Sequence, residues 1–139
     1  MSHSPGDAVG SRREARETAL GLLYAAHSRG VEPLEVLAEQ PVPPEAYTVQ
    51  LVEGVAGHID ELDGLIGSYS EGWSTGRMPA IDLALIRIAV YELAHEADVP
   101  TSAVLSEVVE LVSEYSTEKS GKFVNGVVAR IAEELRPGS

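Results

Sequence analysis

Apolar residues recur along most of the chain with the spacing of an amphipathic helix. In the first such stretch, residues 11–28, one face carries five of them: Ala15, Ala19, Leu22, Leu23 and Ala26. A repeat of this kind predicts a helix. Gly30 follows, and glycine commonly ends a helix. A short helix is then predicted from Pro33, since proline is favoured in the first turn. It should end at about residue 40, because three prolines follow it closely: Pro41, Pro43 and Pro44.

The next stretch, residues 45–69, is also apolar at helical spacing but is longer than the usual globular helix. Gly54 and Gly57 are followed by Asp60, a candidate N-cap, and together they predict a break after the second glycine. Residues 67–79 contain several glycines and serines. This composition predicts a connection between two halves of the protein.

Residues 79–95 are apolar on nearly every face, which is typical of the buried central helix of a bundle. A further helix is predicted after Pro100, and a last one after Ser120 as its N-cap. No alternation of strand period competes with these assignments. We therefore expect an all-α protein of about seven helices, with a flexible tail over residues 1–10 and one domain over residues 11–136.

The charge of the chain is strongly negative and unevenly distributed. Of 139 residues, 22 are acidic and 10 are basic, which gives a net charge of -12. Eight of the ten cations lie in residues 1–30 and 119–139. If these ends meet in space, they form a basic patch on an acidic body, as polyanion-binding proteins do. The alternative is that these cations only solvate two terminal helices.

Composition excludes several other classes. The chain has no cysteine, so it has no disulfide, no thiolate zinc site and no cysteine nucleophile, which fits a cytoplasmic protein. Arg87 interrupts the longest apolar stretch, residues 81–94, so no membrane span is predicted. The first 17 residues lack an apolar segment, and we expect no secretory signal.

Two features of the sequence are of kinds that also occur in enzymes and metalloproteins. Residues 72–76 match G-x-S-x-G, but a helix precedes Ser74 and no sheet is predicted, so the pattern indicates a Gly/Ser loop and not a hydrolase. The four histidines are scattered, without a pair four residues apart or a carboxylate at ligand spacing. We therefore predict no catalytic residue, no cofactor and no metal site, from the positions of His3, His27, His58 and His95.

The two basic helices each carry an aromatic ring beside arginine. On the first helix, Arg13 and Tyr24 share a line with Leu20 that lies off the core face, and Arg16 is near it. On the last helix, Phe123 lies at the edge of the core face, two turns before Arg130. Rings stack on unpaired bases while arginines bind phosphates, which suits single-stranded nucleic acid. The alternative is that both rings only seal one helix against another.

Three segments in register resemble one known family. They are RREARE at 12–17 with Leu-Tyr at 23–24, LIRIAVYEL at 85–93 with Asp-Val-Pro at 98–100, and KFVNG at 122–126. Their order and spacing resemble the NusB transcription antitermination factors over nearly the whole chain. The resemblance implies an all-helical fold of two three-helix subdomains. It also implies binding of boxA-type leader RNA of ribosomal RNA operons, with the ribosomal protein NusE, in an RNA polymerase antitermination complex.

The resemblance also implies roles for individual residues. Three arginines would form an arm on the phosphates, two rings would face the bases, and Lys122 would add a phosphate contact beside Lys119 and Arg130. Asn125 would be structural. Glu14 departs from the family, where an arginine is common at that position. The arm and the rings are Arg12, Arg13, Arg16, Tyr24 and Phe123.

The sequence leaves the cellular role and the oligomeric state open. The chain could be a NusB-like interaction module without an antitermination role, and it could be a monomer or a homodimer. Arg87 and Glu92 are predicted to be structural. A buried arginine requires a carboxylate, for which Glu107 or Glu110 on the next helix is the candidate.

Overall fold

The computed structural model describes the backbone of residues 5–70 and 75–139, and the side chains of residues 12–70 and 76–139. Within these residues the chain forms seven α-helices and one short 3-10 turn, and no strand. The all-α prediction is confirmed. The helices are α1 (Pro5–Arg29), α2 (Pro33–Ala38), α3 (Ala46–Gly57), α4 (Ile59–Tyr69), α5 (Ala80–His95), α6 (Thr101–Tyr115) and α7 (Glu118–Leu135); the turn is Thr75–Arg77.

Helix α1 ends where the sequence predicted and begins earlier. Gly30 has a positive φ of 69°, and the backbone N–H of Val31 donates to the carbonyl of Ala26 at 3.0 Å, which closes a Schellman motif. The helix begins at Pro5 and not near residue 11, since a proline in the first turn lacks only an N–H that no helical bond would use. Residues 1–4 lie outside the described part, so the tail and the domain limits stay a prediction.

The break between α3 and α4 is confirmed, but two predicted N-caps are wrong. His58 occupies the junction, and Asp60 lies inside the first turn of α4. At the start of α7, the N-cap is Thr117, whose hydroxyl accepts the backbone N–H of Ser120 at 3.0 Å. In both helices the cap lies before the predicted residue, because the chain has already turned helical there.

The helices pack as two sets of three. Helices α1, α2 and α3 contact one another, as do α5, α6 and α7, while α4 bridges α3, α5 and α7. Helix α5 also packs on α1 and α3, so a single buried core runs through both sets. The two three-helix subdomains are therefore confirmed. No helix in the described ranges is long and apolar enough to cross a membrane.

Helix α5 is the centre of this core, and its close neighbours explain two residues of the sequence. A side chain at Gly54 of α3 would stand 2.2 to 2.8 Å from the ring of Tyr91, so only glycine allows the two helices to approach this closely. Arg87 makes a bidentate pair with Asp63 of α4, at 2.8 and 2.7 Å. The prediction that Glu107 or Glu110 would pair with Arg87 is wrong, because those carboxylates face α1.

Candidate nucleic-acid interface

Arg16 lies in the interior and not on the surface. Its side chain donates two hydrogen bonds of 2.8 Å to Glu92 and one of 3.1 Å to Glu107, and the residue is 3% exposed. Burial lowers the pKa of Arg16, but the bonds to Glu92 and the charge of that carboxylate outweigh burial and raise it. Each of the three guanidinium nitrogens of Arg16 donates to a carboxylate, which supports a structural role, and its predicted contact with a phosphate stays a prediction.

Tyr47 completes this buried network. Its hydroxyl donates to Glu92 at 2.5 Å, and burial together with that carboxylate raises the pKa of Tyr47 far above its usual range. The hydroxyl therefore remains a hydrogen-bond donor. Glu92 of α5 accepts from both Arg16 of α1 and Tyr47 of α3, and the bond from Arg16 to Glu107 extends the network to α6.

The other two arginines of the predicted arm point in different directions. Arg13 donates to Glu110 and to Glu114 of α6, the latter at 3.2 Å. The hydrogen bond to Glu110 raises the pKa of Arg13. Arg12 lies over the ring of Tyr47, 5.8 Å from its centroid, in a cation–π contact. The arm is thus divided between two faces, and its middle arginine is already neutralised by acids.

Two further cations of the basic ends serve the fold. Arg29 pairs with Glu39 through bonds of 2.6 and 2.9 Å. Arg136 donates to four backbone carbonyls around the end of α5, which holds the α5–α6 connection in place as helix C-caps do. Nothing in the sequence indicated this role. The four carbonyls belong to Glu92, Leu93, Glu96 and Val99, at 2.5 to 3.1 Å.

The start of α7 presents two exposed lysines beside an aromatic ring. Lys119, Lys122 and Phe123 line a depression of about 550 Å³ together with Pro79 and Asp82 at the start of α5. Both lysines are exposed. Among the side chains that the structure describes, no carboxylate forms a salt bridge with either of them. The depression therefore places two lysines and an aromatic ring around one buried carboxylate, that of Asp82.

A second depression adjoins the first. Lys122 and Phe123 line it as well, together with Tyr69 and Arg130. Arg130 donates to the backbone carbonyl of Tyr69 at 3.3 Å, which positions the guanidinium over the end of α4. Phe123 thus lies between the two depressions, with Lys119 in the first and Arg130 in the second. The prediction placed this ring and Arg130 on one line of α7, and the structure brings them to one surface.

Tyr24 lies at the same end of α5 as this surface. Helix α1 runs antiparallel to α5. Arg16 bonds to Glu92 near the end of α5, whereas Leu23, the residue before Tyr24, lines a depression with Ala80 at the start of α5. Tyr24 is 43% exposed, whereas Leu20, which the sequence placed beside it off the core, is 3% exposed. The prediction for Leu20 is wrong because α1 is covered on two faces, by α3 and by α5.

The two basic ends approach each other through α6 and do not pack directly as a pair. The main neighbours of α1 are α2, α3 and α5, and those of α7 are α4, α5 and α6. The end of α6 connects them, since Tyr115 donates to Glu17 of α1 at 2.6 Å and α7 begins three residues later at Glu118. The predicted basic patch is consequently smaller than the charge count implied.

Other predictions concern residues with little contact to this surface. Asn125 has a buried side-chain oxygen without a hydrogen-bond partner in the described part of the chain. Ser74, from the G-x-S-x-G match, lies outside the described residues. The prediction that no carboxylate lies at ligand spacing from a histidine overlooked Glu61, three residues after His58. One ligand atom from each of His58, Glu61 and His95 lies within 4.8 Å of the other two.

Comparison with known proteins identifies the family. A model of the NusB family matches residues 13–133. The chain belongs to the NusB family. It is 48% identical over 130 residues to the transcription antitermination protein NusB of Salinispora arenicola, covering 88% of this chain and 96% of that protein. It is 45% identical over 129 residues to NusB of Kineococcus radiotolerans, covering 90% and 95%.

Solved NusB structures share the fold. T. maritima NusB superposes with a TM-score of 0.79 at 32% identity, over 88% of this chain and 91% of that one. A crystal structure of the antitermination factors NusB and NusE with double-stranded RNA gives a TM-score of 0.76 at 33% identity, over 89% and 97%. The NusB resemblance carried by the three sequence segments is confirmed.

Proposed function

We propose that this chain is a transcription antitermination factor that binds boxA-type leader RNA of ribosomal RNA operons together with the ribosomal protein NusE. Its relatives are transcription antitermination proteins, which it matches over nearly their full length. A NusB of the same fold has been crystallised with NusE and RNA. We place the protein in the cytoplasm with the transcription machinery, and we assign it no catalytic activity.

The surface around Phe123 is the main support for the proposed RNA-binding site. Lys119 and Lys122 lack carboxylate partners among the described side chains, so they bind phosphate without breaking an existing ion pair. Phe123 packs against the core and its ring lines both depressions, a position in which it would contact a base bound there. Arg130 extends the positive track along α7. The residues of this surface belong to the predicted set, and no part of the protein must unfold before RNA can reach them.

The first helix contributes less than the sequence suggested. Tyr24 offers a second exposed ring at the same end of α5, and Arg12 offers a guanidinium that is held by a ring and remains half-exposed. Arg13 reaches a phosphate only by giving up Glu110 or Glu114. We therefore place the main phosphate contacts on α7 and only secondary ones on α1.

The test compares two variants that change the charge equally. Lys122→Gln and Arg29→Gln each remove one positive charge, but Arg29 pairs with Glu39 and lines neither of the two depressions. We expect Lys122→Gln to weaken binding of a boxA-type oligonucleotide and to reduce read-through of a terminator in a reconstituted antitermination assay. Arg29→Gln should change neither. Equal effects of both variants would show that only net charge matters and would remove this site.

The antitermination assay also separates the two functional hypotheses. A chain that binds RNA and NusE but gives no read-through with RNA polymerase is a NusB-like interaction module. A chain that restores read-through, and loses it with Lys122→Gln, acts as an antitermination factor through the α7 surface.

A further inference from the structure

A second cluster of polar side chains lies away from the α7 surface, where α3, α4 and α5 meet. His58 occupies the junction between α3 and α4, Glu61 lies in the first turn of α4, and His95 is the last residue of α5. One ligand atom from each of these residues lies within 4.8 Å of the other two. The three residues come from two separate parts of the sequence and converge on one point.

The distances suit a transition metal. His95 Nε2 lies 3.0 and 3.2 Å from the two carboxylate oxygens of Glu61. Two ligand atoms on a tetrahedral zinc ion with bonds of about 2.0–2.1 Å are separated by about 3.3 Å. The spacing of this hydrogen-bonded pair is close to that of two ligands of one ion. Glu61 and His95 are both exposed, which leaves an approach from solvent.

His58 has one ring nitrogen engaged with the backbone. Its Nδ1 donates to the carbonyl oxygen of Gly54 at 2.8 Å, which leaves Nε2 as the nitrogen that would bind a metal. A backbone carbonyl on the far nitrogen is the usual support for a zinc-bound histidine. The rings of His58 and His95 are 4.1 Å apart, and Tyr91 stacks on His95 at 5.5 Å. The two imidazoles are thus held side by side.

We propose that His58, Glu61 and His95 form a binding site for a divalent transition-metal ion, with Zn²⁺ as the preferred ion and water as its fourth ligand. Two imidazoles and one carboxylate are a donor set that zinc accepts, and hard ions such as Mg²⁺ prefer oxygen ligands alone. The ion ties the start of α4 to the end of α5. Its role is to stabilise this junction, because a metal that binds only the folded chain favours the folded state.

The direct test is calorimetric titration of the tag-free full chain with ZnCl₂ after treatment with a chelator. We expect one ion per chain, little heat with MgCl₂, and a higher melting temperature with zinc. His95→Ala and Glu61→Gln should each weaken zinc binding by about tenfold or more. Both residues are exposed, so these variants should fold, which circular dichroism checks.

His27→Ala serves as the matched control, because His27 is an exposed histidine of α1 and is not part of the cluster. It should bind zinc as the parent chain does. Substitution with Co²⁺ adds an independent readout: a tetrahedral site gives visible absorption bands that His95→Ala should abolish. The proposal is overturned if the parent chain binds no zinc, or if His95→Ala and Glu61→Gln bind it as tightly as His27→Ala. In that case Glu61 and His95 form only a surface ion pair.

Discussion

Arg16 and Glu92 form a bidentate ion pair, with two hydrogen bonds of 2.8 Å, in the interior where α1 crosses α5. Removing one partner leaves the other charge buried and uncompensated. We therefore expect Arg16→Ala to lower the free energy of unfolding by about 3–5 kcal/mol, measured by urea denaturation. RNA binding should fall only as far as the folded fraction falls.

Arg16→Lys is the informative companion variant. Lysine keeps the charge but cannot make two parallel bonds to Glu92, so it should recover only part of the lost stability. If Arg16→Ala retained full stability but lost RNA binding, the arginine would act on RNA after all. That result would contradict the structural role assigned here.

Phe123 is expected to act through stacking. Phe123→Ala should weaken RNA binding by about 1–3 kcal/mol if a base lies on the ring, measured by fluorescence anisotropy with a labelled oligonucleotide. Phe123→Tyr keeps a stacking face and should retain most of the affinity. The hypothesis that Phe123 only seals α7 against its neighbours predicts a lower melting temperature with unchanged RNA affinity, and that pattern would exclude stacking.

The salt dependence of RNA binding should reflect the few cations left on the surface. With Lys119, Lys122 and Arg130 on phosphates, the logarithm of the binding constant should fall against the logarithm of salt with a slope of about -2, at about -0.7 per phosphate of single-stranded RNA. Lys119→Gln with Lys122→Gln should leave only Arg130 on a phosphate and make the slope shallower, at about -0.7. A parent slope near zero would mean that the chain has no electrostatic RNA site.

RNA and NusE should strengthen each other's binding. The chain carries a net charge of -12, which repels RNA at long range, and a basic partner neutralises part of that charge. We expect saturating NusE to tighten RNA binding by a coupling free energy of about 1–3 kcal/mol, and RNA to tighten NusE binding by the same amount. Titration of labelled RNA with and without NusE measures it. Equal dissociation constants would leave two independent binding events.

The zinc site shows why sequence spacing alone was insufficient for His95. His58 and Glu61 are three residues apart near one helix junction, so two of the three residues are close together in the sequence. His95 lies 34 residues after Glu61. Only the packing of α4 on α5 brings it there, and no local pattern encodes which turn of α5 faces which turn of α4.

Local sequence patterns specify the helices of this protein, because apolar periodicity, glycine after a helix and proline before one act within a few residues. They correctly placed the end of α1 at Gly30, the break after Gly57 and the central position of α5. The tertiary structure decided which cations remain at the surface. Arg16 and Lys122 carry the same charge in the two basic ends, yet Arg16 meets Glu92 in the core while Lys122 faces solvent. The difference arises because ion pairing depends on which helix packs against which, over separations of 76 residues for Arg16 and Glu92, and helical periodicity carries no information at that range.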